Sequence, residues 1–190
     1  MLKPRKTAMQ VIRPGQFIRQ PWKNGGGVTH EIVKVTEAED LLWRLSVAEV
    51  AADGPFSSFP GLTRCLTVIA GDGIDLETPD GVLAAPPLVP VYFSGDTAVT
   101  GRLRNGPIRD LNLIFDAARI TATVTTLFGP LTTRETCGTR GDRRIFCVTG
   151  AVSANGQDLP PCALAGGDIG RVSLGPGAAA LMIDLSPARP

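Results

Sequence analysis

Seven side chains able to bind or move charge stand in segments that otherwise read as apolar: Lys23, Asn24, Glu31, Arg44, Arg64, Asp110 and Asn112. On a strand, successive side chains point to opposite faces, so residues alternating with aliphatic ones share a face of their own. If those faces line the mouth of a barrel, the charges cannot stay unpaired there, because an isolated buried ion costs several kcal/mol. They must neutralise one another or a bound polar ligand. Arg44 and Arg64 suit bidentate contact with a carboxylate, Lys23 adds a point charge, and Asn24 and Asn112 can read amide or carbonyl groups. Thr29, Ser46 and Ser57 are candidate hydrogen-bonding partners, and Trp22 and Phe56 candidate apolar wall. The bland alternative is that the same faces point to water, as one face of an antiparallel sheet commonly does.

Several other chemistries lack their residues. Metal-dependent sites of the imidazole type need two or three histidines, and the chain has one, His30. His30 falls on the apolar side of its strand pattern, where a hydrogen-bonded structural imidazole is the expected role. No G-x-S-x-G elbow accompanies it, and no G-x-x-x-x-G-K-[ST] phosphate loop is present. The four cysteines, Cys65, Cys137, Cys147 and Cys162, form no C-x-x-C pair. No metal and no cofactor is therefore expected. An enzyme remains an alternative, with Glu31 as general base and Lys23 or Arg64 steadying a developing anion. So does a protein-interaction module without pocket chemistry.

Net charge sets further bounds. At 190 residues the chain can bury a substantial core, and a net charge of +1 supplies no basic field for a phosphate backbone. Nucleic acid is not an expected partner. Met1 to Gln10 reads as a short basic tail without the apolar block of a signal peptide, and no apolar run is long enough to span a bilayer without meeting Gly, Pro or charge. With free thiols as the default, a cytoplasmic protein is expected, without membrane contact and compatible with a homodimer.

The elements that must position these residues are short strands. Sixteen prolines and 22 glycines punctuate the whole length, which suits strands and tight turns. Pro21-Trp22-Lys23-Asn24-Gly25-Gly26-Gly27 leads into a strand over Val28 to Val35, its glycines marking a sharp entry turn or a contact surface. Trp43 to Val47 and Arg109 to Phe115 alternate strictly, and Arg64 to Ala70 reads as a central strand. Asp53 to Gly61 is a loop carrying Phe56 and Phe59. No stretch has helical period with caps.

The order strand, Gly turn, strand, Pro-rich loop, Gly-Asp, strand then occurs twice. It runs from Arg64 to Ser94-Gly95-Asp96, and again from Arg144 to Gly166-Gly167-Asp168. A late Gly-Asp turn after an apolar hairpin is how cupin jelly-roll modules often read. The expected fold is all-β, a bicupin of two jelly-roll or β-sandwich modules over 1–120 and 121–190. One elongated β-sandwich is the alternative.

Several motifs together resemble the HutD/Ves family, small bicupin proteins associated with histidine utilisation in bacteria. They are Pro21 to Ile32, Trp43-Arg44-Leu45-Ser46, Phe56-Ser57-Ser58-Phe59-Pro60-Gly61 with Arg64, Phe93-Ser94-Gly95, and Gly106-Pro107 followed by Asp110-Leu111-Asn112. Their order across Pro21 to Phe115 makes the likeness specific. The resemblance implies two stacked cupin barrels, a pocket in the N-terminal one and no established reaction. It also implies a role in binding a small acidic intermediate of histidine breakdown such as formylglutamate. The partner expected on both grounds is a small anionic metabolite.

Overall fold

The structure, a computed structural model, describes residues 8–22, 25–133 and 141–188. The basic tail up to residue 7, Lys23, Asn24 and Cys137 lie outside the described residues. Among the described residues the chain is all-β, with nineteen strands, one 3-10 turn at Pro14–Gln16 and no α-helix. In chain order the strands are β1 (Gln10–Ile12), β2 (Ile18–Pro21), β3 (Gly27–Glu37), β4 (Asp40–Val50), β5 (Gly54–Pro55), β6 (Thr63–Ala70), β7 (Ile74–Thr78), β8 (Gly81–Ala85), β9 (Val91–Ser94), β10 (Thr100–Leu103), β11 (Ile108–Phe115), β12 (Ile120–Phe128), β13 (Leu131–Thr133), β14 (Asp142–Thr149), β15 (Val152–Ala154), β16 (Gln157–Leu159), β17 (Leu164–Gly166), β18 (Val172–Leu174) and β19 (Ala179–Pro187). They form four sheets in two compact units, Phe17–Ile120 and Met1–Gln16 with Thr121–Pro190.

In the unit Phe17–Ile120, a six-stranded sheet runs β2-β3-β4-β11-β6-β9 and a four-stranded sheet β5-β10-β7-β8. Alternation explains which residues fill the space between them. Ala48 and Val50 of β4, Leu66 and Val68 of β6 and Ile108 of β11 pack with Ile74 and Leu76 of β7 and Ala85 of β8. Each fully buried Leu or Ile there contributes about 1.5–3 kcal/mol relative to exposure. β6 is buried on both faces from Arg64 to Ile69, which is why it reads as a nearly unbroken apolar run. Its hairpin to β7 turns through Gly71 and Gly73 at φ +93° and +105°, a region that L side chains rarely enter. β8 has no counterpart in the sequence reading, because Val82 and Leu83 are exposed at a sheet edge and no alternation marks them.

The second unit repeats the order. Its sheets run β1-β17-β14-β19-β12 and β13-β18-β15-β16, so β4-β11-β6-β9 corresponds to β12-β19-β14-β17, and β5-β10-β7-β8 to β13-β18-β15-β16. Even the irregularities match: β6 and β11 slip register between Arg109 and Asp110, and β14 and β19 between Cys147 and Thr149. Its core gathers Ile145, Cys147, Leu159, Ala165, Val172 and Ala180. The strand expected over Ile169 to Leu174 shortens to β18, since the backbone N–H groups of Gly170 and Arg171 donate to Asn155 Oδ1 at 2.9 and 3.0 Å. The strand β1 groups with this unit and not with Phe17–Ile120. There β1 pairs antiparallel with β17, Gln10 opposite Gly166 and Ile12 opposite Leu164.

Candidate functional site

Register alone brings the polar side chains of the six-stranded sheet into rows. Arg44, Ile114, Arg64 and Phe93 lie opposite one another across β4, β11, β6 and β9; Ser46, Asn112 and Leu66 form the next row, and Ala48, Asp110 and Val68 the third. These residues share the face that looks into the core between the two sheets. At one end of that core the packing opens into a cavity of about 590 Å³. Gln20 and Pro21 of β2, Trp22, Thr29 of β3, Arg44 and Ser46 of β4, Arg64 of β6, and Asn112 and Ile114 of β11 line it, with Phe56, Ser57 and Phe59 from the loop after β5.

Arg64 is the centre of the arrangement. It is 6% exposed, and its guanidinium carbon stands 5.3, 5.3 and 5.0 Å from the ring centres of Phe56, Phe59 and Phe93. Three ring faces around one cation restrict it to a single orientation and favour its charge. One terminal nitrogen donates to the Ser57 carbonyl at 3.1 Å, the other to Asn112 Oδ1 at 3.0 Å, and Nε is buried with no hydrogen-bond partner. Of five N–H donors, two are used. Burial lowers the Arg64 pKa to about 10, partly offset by Asp110, with Arg44 lowering it further.

Behind Asn112 lies Asp110, fully buried. The Asn112 amide donates to its Oδ1, while Oδ2 has no partner. Desolvation raises this carboxyl to about 7 against the opposing pull of Arg64. A raised carboxyl pKa means that the folded state holds a proton the unfolded chain has already released, so the stability is present below about pH 4 and is lost as pH rises through 7. Wild-type unfolding free energy should fall across that window by on the order of 4 kcal/mol from this group. Urea titrations at a series of pH values check it: the slope should be absent in Asp110→Asn.

Among the described site candidates, the remaining cation and carboxylate, Arg44 and Glu31, are engaged with each other. Arg44 Nε sits 2.9 Å from Glu31 Oε2, an ion pair too poorly aligned to count as a hydrogen bond, and its terminal nitrogen reaches Gln20 Oε1 at 3.5 Å. At the rim, Trp22 Nε1 donates to Thr29 Oγ1 at 2.8 Å and its ring meets Phe56 edge-on at 6.2 Å. His30 lies outside the cavity, with Nε2 3.3 Å from Glu49 Oε1.

The structure thus places eight of the expected site residues on one cavity wall: Trp22, Thr29, Arg44, Ser46, Phe56, Ser57, Arg64 and Asn112. Glu31 and Asp110 do not line it; one braces Arg44, the other stands behind Asn112. Gln20, Phe59 and Phe93 were not among the candidate site residues, although Phe59 and Phe93 stand in the motifs that carry the resemblance. Phe59 carried a signal, being three residues from Phe56 in a loop before a strand-borne arginine, whereas Phe93 depends on β9 pairing beside β6. Among the described residues no three His, Cys, Asp or Glu side chains converge as a metal site.

The aromatic loop is held by Gly95. Phe59 N donates to the Gly95 carbonyl at 2.8 Å, Gly95 N donates to the Leu62 carbonyl at 2.7 Å, and Ser58 Oγ adds a bond to the same Gly95 carbonyl at 3.1 Å. A Cβ at position 95 would press on the Phe59 carbonyl and stand 2.8 Å from that of Leu62. Gly95→Ala should therefore cost about 1–3 kcal/mol and shift Phe56 and Phe59 off Arg64. Thermal melting with near-ultraviolet circular dichroism reads both effects.

The sequence pattern of the HutD family matches residues 15–183. An uncharacterised 21.2 kDa protein in the hutC 3′ region of Pseudomonas putida is 41% identical over 120 residues, 61% of this chain and 63% of that protein. The chain thus spans less than two thirds of that relative's length. Protein Ves of Citrobacter koseri is 36% identical over 136 residues, 68% of each chain. Among solved structures, HutD from Pseudomonas fluorescens SBW25, determined in a formate condition, superposes with a TM-score of 0.82 at 35% identity, covering 96% of this chain and 100% of that one. The bacterial pirin YhhW of Escherichia coli, at 9% identity, TM-score 0.68 and coverage of 95% and 100%, shares the fold.

Proposed function

The chain belongs to the HutD family, and from that premise and the cavity around Arg64 we propose that it binds a small carboxylate metabolite and serves a regulatory role in histidine utilisation. The observation that carries the reading is a buried arginine, boxed by three rings, with donors left over and no carboxylate in direct contact. A low-dielectric cation with spare donors gains most from an anion that brings its own lone pairs. A cavity of about 590 Å³ suits a metabolite of modest size, and formylglutamate, with two carboxylates and an amide, is the leading candidate. We read each unit as one cupin barrel of a bicupin, with capture confined to the Phe17–Ile120 unit. Glu31, the base that turnover would need, is drawn to Arg44 and away from the cavity wall, which favours binding over catalysis.

Isothermal titration calorimetry with formylglutamate, urocanate, glutamate and formate tests the reading. Saturable heat is expected from at least one of them, lost in Arg64→Met. Folded protein that gives no heat with any of the four sinks it.

A further inference from the structure

The cavity-bearing unit contains a second carboxyl group that has no evident structural reward. Asp110 is fully buried, one of its oxygens lacks a partner, and it reaches Arg64 only through the Asn112 amide, which accepts from Arg64 and donates to Asp110. Among the described residues the charged groups facing it are few. β6 presents Arg64, β4 presents Arg44, and β3 presents Glu31, already paired with Arg44. The facing sheet adds Ile74 and Leu76 of β7, Ala85 of β8 and Leu103 of β10, all apolar. The ionised form of Asp110 thus depends on the charge of Arg64.

A carboxylate entering the cavity takes that charge for itself. Two anions sharing one cation in a low-dielectric site cannot both stay ionised without a large penalty, and the buried one, unable to reach water, is the one that yields. We propose that the site takes up its anion together with a proton, occupation of Arg64 by a carboxylate being coupled to protonation of Asp110. The only bond made is O–H on Asp110; the proton comes from a buffer acid, which leaves as its conjugate base. The coupling rests on the carboxylate-binding reading above and adds its regulation: uptake is favoured in acid and released in base. Since the carboxyl of the empty site titrates near 7, proton uptake should be slight at about pH 6 and approach one per bound anion at about pH 8.5.

Calorimetric titration of the full chain with N-formylglutamate and formate, in phosphate and in Tris, measures this directly, because the two buffers differ in ionisation enthalpy. Above neutrality the observed heats should diverge between buffers, with affinity falling about tenfold per pH unit. In Asp110→Asn both the divergence and the pH dependence should vanish. Equal heats in the two buffers at about pH 8.5, with binding intact, overturn the coupling and leave the capture reading standing; this comparison needs only wild-type protein, so it decides the matter even if the variant fails to fold. Binding by neither probe at any pH overturns both.

Discussion

Ile114→Asp should abolish carboxylate binding, weakening affinity by at least about 100-fold, while the protein still folds. The chain itself supplies the precedent. Counting from the matched register slips, Val68 opposite Asp110 corresponds to Cys147 opposite Ala180, Leu66 opposite Asn112 to Ile145 opposite Met182, and Arg64 opposite Ile114 to Arg143 opposite Asp184. In the later unit the arginine meets its cross-strand carboxylate directly, Nε to Oδ1 at 2.7 Å and a terminal nitrogen to Oδ2 at 3.1 Å. Methionine and alanine stand where Asn112 and Asp110 stand in the earlier unit. A sheet of this strand order thus accommodates a cross-strand, part-buried Arg–Asp pair, and an aspartate at 114 would give Arg64 the partner that the cavity withholds. Calorimetry alongside thermal melting checks it. Undiminished affinity in the folded variant would show that the anion does not sit at Arg64.

Arg64→Met should both eliminate binding and lower stability at pH 8 by about 1–2 kcal/mol through Asp110, a loss that grows with pH above 7. Methionine keeps a flexible apolar stem among Phe56, Phe59 and Phe93 but removes the charge that favours ionised Asp110, so the buried carboxyl stays protonated above neutrality and holding that proton costs more with each pH unit. Below the Asp110 pKa of about 7 the carboxyl is protonated and the loss should shrink, so at about pH 5 the variant should approach the wild type. Adding Asp110→Asn should restore most of the stability at the higher pH without restoring binding. A double-mutant cycle in urea at the two pH values separates the terms. A loss of equal size at both would place the role of Arg64 in packing rather than in charge.

Much of this site was legible because alternation is a local signal. Trp43 to Val47 and Arg109 to Phe115 announce their two faces, so Arg44, Ser46, Asp110 and Asn112 are sorted onto one side before any pairing is known. Which of them meet is set by sheet order, and nothing within either segment states it. Arg64 and Asn112 are 48 positions apart and touch because β6 and β11 are neighbours. Glu31 illustrates the limit: β3 slips register against β4 between Glu31 and Val33, and the side chain stands against Arg44 instead of on the cavity wall. The repeat was legible as a rhythm of turns. That two halves share strand order and yet differ in what they do with one arginine depends on single residues, Ile114 against Asp184, which no pattern distinguishes.

The placement of β1 has a consequence for how the molecule comes into being. During translation Gln10–Ile12 leaves the ribosome well before its partner Leu164–Gly166, which is made some 150 residues later. The intervening chain contains every strand of the Phe17–Ile120 unit, which can therefore mature while its predecessor waits. The later unit closes its sheet with a piece of chain made well before the strand it pairs with, a stitch between segments some 150 residues apart that cleavage just after β1 would undo.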